Sequence, residues 1–210
     1  MIFTETRLQG AFVVDAQRRE DERGFFARIF CQKEFRELGL EPNVAQANMA
    51  LNVKRGTLRG MHFQYPPATE AKLVRCMHGA ILDVIVDLRP ESATYLQHVA
   101  VELSSDNHRA LYVPGRCAHG YQTLRDGTAI LYQASTFYEP SAEGGLRYDD
   151  SRLAITWPLP VTSVSGKDGN FALLENIQGE LTARMSIPES VERLEKPAGM
   201  AVSSLTHFIS

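Results

Sequence analysis

The chain has 210 residues, 44% hydrophobic and 22% charged, with 22 Lys and Arg against 25 Asp and Glu for a formal charge of -3. This is the composition of a soluble globular chain long enough for a large core, and one domain is the default expectation. With no basic block to neutralise a phosphate backbone, nucleic acid and anionic membrane are poor partners.

At the N-terminus, Glu5 and Arg7 interrupt the apolar residues before they could form the core of a signal peptide, and no later apolar run reaches membrane-spanning length, so a cytoplasmic protein is expected. Gln32 to Leu40 carries Phe35 and Leu38 three residues apart and meets Gly39, which predicts one short amphipathic helix. From Ala11 to about Trp157, short segments of branched and aromatic residues alternate with Gly, Pro, Asn and Asp, the pattern of an antiparallel barrel or sandwich. The clearest are Ala80 to Leu88, Val99 to Leu103, Ala110 to Val113 and Ala129 to Gln133. In Ala80 to Leu88, Asp83 and Asp87 break an apolar run, which predicts one core face. Turns are expected at 89–92, 104–107 and 114–115, and Asp126-Gly127 reads as a hairpin signal. After Phe171, Leu, Glu and Arg mix with Pro188 and Pro197, so at most broken helical turns are expected. Residues 176–210 read as an appendage to a domain of residues 1–175, packed on a partner subunit, with a loosely ordered tail after about Pro197. Cys31, Cys76 and Cys117 fit neither a disulfide framework nor a zinc-knuckle spacing and read as reduced, partly buried apolar residues.

Titratable and aromatic groups concentrate in five phrases, at 22–28, 55–64, 70–76, 118–124 and 130–133, with Ser165-Gly166-Lys167-Asp168 following. Each has a bland reading. Isolated histidines such as His78, His98, His108 and His207 are ordinarily surface or hydrogen-bonded residues. Lys72 and Arg75 alternate with Leu73 and Val74 as the polar face of a strand would, and Tyr132 between Leu131 and Gln133 would ordinarily be core. His62 and His119 stand apart because Gly flanks each strand end. No His-x-His pair occurs; a metal site could be assembled only from His62, His119 and one carboxylate.

Taken in order, Leu58-Arg59-Gly60-Met61-His62-Phe63-Gln64, Lys72-Leu73-Val74-Arg75, Asp83-Val84, Asp87-Leu88-Arg89, Ala118-His119-Gly120, Tyr132, Tyr138, Glu143 and Trp157-Pro158 resemble the dTDP-4-dehydrorhamnose 3,5-epimerase family. The likeness runs from about Asp21 to Asp168. It implies an all-β, cupin-type jelly roll with a few short helices, a homodimer, no metal or other cofactor, and a nucleotide-linked 4-keto-6-deoxy sugar as substrate.

Epimerisation beside a ketone removes a proton to give an enolate and returns one to the opposite face. Moving a proton from a carbon acid of pKa about 20 to imidazole, about 6.5, is uphill by roughly 18 kcal/mol, so a base alone cannot suffice. The enolate oxygen must meet a cation or hydrogen-bond donor away from water. The resemblance implies His62 as the base, Asp168 as the carboxylate fixing its tautomer, Lys72 as the cation at the enolate and Tyr132 as the acid on the other face. It implies Arg59 and Arg23 at the diphosphate, and Phe26 stacked on the base from a segment crossing from the partner subunit. Gln46 and Asn48 fall near the nucleotide, while His119, Tyr138, Glu143 and Lys167 fall around the pocket. One departure concerns recognition: Arg28 stands where the family carries a carboxylate that accepts the thymine imide hydrogen, and a guanidinium has no acceptor. A nucleotide other than, or in addition to, dTDP is therefore expected. Two rival readings are a metal-dependent cupin enzyme, such as a dioxygenase or sugar isomerase, and a non-catalytic protein that binds sugar nucleotides.

Overall fold

The computed structural model describes residues 1–186. One antiparallel sheet contains β1 (Ile2–Glu5), β2 (Phe12–Asp15), β5 (Gln46–Asn52), β7 (Lys72–His78), β10 (Ala110–Val113) and β12 (Thr128–Ala134), in the order β1-β2-β10-β7-β12-β5. The other contains β6 (Leu58–Gln64), β8 (Ala80–Asp87), β9 (His98–Ser104), β11 (Cys117–Thr123) and β13 (Glu143–Gly145), in the order β13-β6-β11-β8-β9. A separate hairpin pairs β3 (Arg18–Asp21) with β4 (Gly24–Ala27). Several successive strands, β5 and β6 or β7 and β8, lie in opposite sheets, which produces the two-layer jelly roll expected from the spacing of strands and turns.

The core between the sheets is built from inward residues such as Val74 and Cys76 of β7, Ile81 and Ile85 of β8, Leu111, and Ile130. Strand β8 departs from expectation by burying both faces. Ile81 and Ile85 point between the sheets, while Val84 and Val86 join Leu88 in a second cluster with Leu146 and Leu153. Asp83 and Asp87 share the inward parity and are fully buried, so they are core polar groups rather than an outward face. Asp83 lies in hydrogen-bond contact with His119 at 2.7 Å, and Asp87 is paired with Arg89 at 2.8 Å.

The Asp126-Gly127 turn does not close a hairpin, because β11 and β12 belong to opposite sheets. It hooks instead onto the connection between β5 and β6, with Arg55 N–H donating to Asp126 Oδ1 at 2.7 Å and Gly127 N–H to Val53 O at 3.0 Å. The early helix α1 spans Gln32–Glu37 and buries Phe35, but Leu38 is 47% exposed. Gly39, at φ +69°, turns the chain so that Leu40, rather than Leu38, joins Phe35 in the apolar cluster.

The expectation of broken turns after Phe171 is overturned by a continuous twelve-residue helix, Leu174–Met185. No proline interrupts it, since Pro188 lies beyond its end, and its Leu, Glu, Gln and Arg favour helix. The helix packs on its own domain: Leu174, Leu181 and Met185 share a cluster with Met61, Phe63 and Tyr65. Its C-terminal carbonyl is capped by Arg116, whose Nε donates to Met185 O at 2.7 Å while its other nitrogens grip Glu91. The expected boundary after residue 175 therefore falls within the helix's first turn. Residues 187–210, including the tail after Pro197 and His207, lie outside the described residues. No helix among the described residues is long and apolar enough to cross a membrane.

Candidate active site

The site is organised by the close antiparallel pairing of β6 with β11. His62 and His119 are register partners, and the register shifts between His119 and Tyr121. Gly60 has φ +127°, and a Cβ there would sit 2.5 Å from Gly120 Cα and 2.9 Å from His119 O. Only glycine meets both demands, which is why a glycine accompanies each histidine in the sequence.

His62 Nε2 lies 2.9 Å from Asp168 Oδ1. Asp168 is buried on the one-turn helix α2 (Gly166–Gly169), where its own N–H donates to Ser165 Oγ at 3.0 Å and its Oδ2 accepts the Gly60 N–H at 3.1 Å. Burial pushes this carboxyl up, but the hydrogen bonds from His62 and Gly60 outweigh it and hold the group below its ordinary value. As the ionised carboxylate can only accept, a neutral His62 carries its proton on Nε2 and keeps a lone pair on Nδ1. Phe171 packs edge-on against the imidazole with ring centroids 5.9 Å apart. His119 forms a second pair, Nε2 to Asp83 Oδ1 at 2.7 Å, in which Asp83 Oδ2 has no partner among the described residues.

Two adjoining cavities share His62, Lys72 and Tyr132 as lining residues. The outer, about 370 Å³, adds Gln46, Asn48, Glu70, Tyr138 and Glu143. The inner, about 160 Å³, adds Arg59, His119 and Tyr121. Lys72 Nζ is 2.8 Å from Glu70 Oε1. Burial, reinforced by the negative charge of Glu70 and opposed by Arg59, pushes the Tyr132 phenol above its ordinary value, so it is protonated at neutral pH. Arg59 Nε donates to Asn52 Oδ1 at 2.8 Å, which aims the guanidinium.

The segment at 137–139 straps across the outer mouth. Tyr138 N–H donates to Gln46 Oε1 at 2.7 Å and Glu139 N–H to Gln64 Oε1 at 2.6 Å, while Gln64 Nε2 donates to Ala68 O and Phe137 O. Tyr138 Oη donates to Glu143 Oε2 at 2.9 Å, and Lys167 pairs with the same carboxylate. Lys167 thus reaches the site only through Glu143.

Arg23, Phe26 and Arg28 line neither cavity. They sit on or beside the β3–β4 hairpin, with Phe26 72% exposed and Arg23 paired to Asp21 at 2.6 Å. Arg28 is paired to Glu34 at 3.0 Å and shares a separate polar cavity with Phe26, Arg19 and the N-terminus. Among the described residues no three His, Cys, Asp or Glu side chains converge as metal ligands. His62 and His119 each commit Nε2 to a carboxylate instead.

Glu70, which lines the outer cavity, and Asp83, the buried partner of His119, are the site residues that sequence reasoning missed. Glu70 two positions before Lys72 looks like part of a solvated strand face, and Asp83 looks like an interruption in β8. For Glu70 the signal was a charged residue two positions before Lys72, whereas Asp83 lies 36 residues from His119 and meets it only through the pairing of β8 with β11.

The dTDP-4-dehydrorhamnose 3,5-epimerase family model matches residues 5–176. The dTDP-4-dehydrorhamnose 3,5-epimerase of Salmonella typhimurium is 38% identical over 83% of this chain and 96% of its own length. That of Methanothermobacter thermautotrophicus is 39% identical over 80% and 92%. The crystal structure of a dTDP-6-deoxy-D-glucose-3,5-epimerase from Legionella pneumophila, in complex with dTDP-4-keto-L-rhamnose, superposes with a TM-score of 0.80 at 36% identity, covering 86% of this chain and 96% of that one.

Proposed function

The chain belongs to the dTDP-4-dehydrorhamnose 3,5-epimerase family, and from that premise we propose how its residues divide the work of inverting carbons beside the ketone of a nucleotide-linked 4-keto-6-deoxy sugar. His62 abstracts the ring proton through Nδ1, with Asp168 holding the tautomer and stabilising the imidazolium. Lys72 faces the enolate oxygen, and Tyr132 returns a proton to the opposite side. His119 and Tyr138 contact the sugar, while Gln46, Asn48 and Arg59 bind the nucleotide diphosphate. The observation supporting this division is that one imidazole oriented by a carboxylate, one protonated phenol and one ammonium line the same pair of cavities. The enzyme would act in the cytoplasm, supplying activated deoxysugars. In deuterium oxide, a 4-keto-6-deoxy sugar nucleotide incubated with the protein should exchange its C3 or C5 proton, or both, as read by NMR; a protein that only binds the sugar would leave both signals intact.

We place Arg23 and Phe26 at the cavity of a second copy. Supporting this, both lie on an exposed hairpin away from their own chain's cavity. Met49 and Leu51 of β5, with Val53 just beyond it, are 78%, 63% and 74% exposed at alternate positions, an apolar stripe suited to burial in a homodimer. Sedimentation should give twice the chain mass, and Leu51→Asp should shift the protein toward monomer; a monomeric wild type would overturn the exchange.

In that arrangement Arg28 meets the nucleobase with donors alone, which suits an edge with adjacent acceptors better than the thymine imide. Calorimetry with dTDP, CDP, GDP and UDP should show at least one other nucleotide bound as well as dTDP. A clear preference for dTDP, unaltered in Arg28→Ala, would remove Arg28 from base recognition.

A further inference from the structure

We infer that Glu70 is a positioning residue for Lys72, fixing where the ammonium stands relative to Tyr132 in the cavity; this rests on the epimerase reading above. Three observations carry it. Glu70 Oε1 and Lys72 Nζ are 2.8 Å apart with side chains only 13% and 9% exposed, so the pair is sheltered from the solvent that makes exposed ion pairs weak. Both residues line the same cavity as Tyr132 and His62. The backbone carrying Glu70 is also pinned to the extension of the strand that carries Tyr132: Ala71 N–H donates to Ser135 Oγ at 2.8 Å, Ser135 N–H to Ala71 O at 3.0 Å, and Thr136 Oγ1 to Thr69 O at 3.0 Å.

A lysine ammonium sits on a flexible four-carbon stem, and its three donors impose no fixed geometry. Held only by a developing enolate, it would have to be ordered during the reaction. The Glu70 carboxylate occupies one donor in advance and leaves the others for the oxyanion, so the ordering is complete before the proton leaves carbon. The negative charge also keeps an ammonium in a sheltered cavity compensated while no substrate is present. Glu70 needs no contact with the reacting carbons for this.

The test is a double-variant cycle on turnover and deuterium exchange with Glu70→Ala, Glu70→Gln, Lys72→Ala and Glu70→Ala/Lys72→Ala. Glu70→Ala is expected to lower kcat by about 30-fold with KM changed less than about threefold, the split of an interaction that matters in the transition state. Glu70→Gln, which keeps an acceptor oxygen of the same shape, should recover part of that loss. In the Lys72→Ala background, removing Glu70 should cost almost nothing more, because nothing remains to position. Losses that multiply in the double variant, a loss confined to KM, or full activity in Glu70→Ala would each overturn the assignment. Should Glu70→Ala fail to fold, the same cycle with the isosteric Glu70→Gln decides. A wild type that exchanges no deuterium overturns the epimerase reading as well, whereas normal wild-type exchange with an unaffected Glu70→Ala overturns Glu70 alone.

Discussion

Replacing His62 with Ala is expected to abolish deuterium exchange at both ring carbons and to lower turnover by about 10³-fold or more, roughly 4 kcal/mol of transition-state stabilisation. Neither neighbouring candidate can take its place. His119 lines only the inner cavity, with its side chain 9% exposed against 34% for His62, and the Asp168 carboxylate is buried behind His62, where it receives the Gly60 N–H. The companion variant Tyr132→Phe should behave differently, keeping part of the exchange while losing inversion, because removing the phenol proton donor still permits abstraction and return on the His62 side. Asp168→Asn should fall nearer to His62→Ala, since an amide can donate to Nε2 and favour the tautomer whose proton points at the sugar. NMR in deuterium oxide separates the three by the ratio of washed-in label to inverted product. Equal exchange by His62→Ala and wild type would remove His62 as the base.

The second large effect concerns stability. Gly60→Ala is expected to destabilise the fold by about 3 kcal/mol or more, combining a strained backbone with overpacking. The new Cβ would meet Gly120 Cα at 2.5 Å, a backbone atom that no rotamer change can move aside, and Gly60 has φ +127°. Gly127→Ala supplies the comparison: its φ is +64° but nothing lies within 4 Å of the added carbon, so only the left-handed conformation costs, about 1 kcal/mol. Urea midpoints should therefore fall much further for Gly60→Ala. Similar midpoints for the two variants would mean that the close pairing of β6 with β11 relaxes, and that the placement of the two histidines does not depend on it.

Local chemistry made much of the fold legible. The apolar run Ala110 to Val113 and the Pro114-Gly115 that ends it predict both bounds of β10. Asp126-Gly127 shows where such reasoning stops, because a turn dipeptide specifies its own backbone angles and not which sheet receives the next strand. The helix Leu174–Met185 was obscured for a related reason: its apolar residues are spaced to fit the outer side of β6 and β8, a surface that exists only once the sheet has formed. In the site, the glycines flanking His62 and His119 were a readable physical signal, whereas Asp168, 106 residues from His62, was reachable only through the family resemblance. The pairing of Glu70 with Lys72 was hidden by proximity, since two charges that close along a strand normally share open solvent.

The strap at 137–139 bears on how a ligand gets in. Gln64, almost wholly buried on β6, ties it to the floor of the cavity through Phe137 O and Glu139 N–H, and Gln46 on β5 ties it a second time. The edge of the cavity is thus tethered to both sheets, through Gln64 on β6 and Gln46 on β5. Turnover is then expected to be insensitive to solvent viscosity, and a rate that falls in proportion to viscosity would show that passage of the ligand sets its pace.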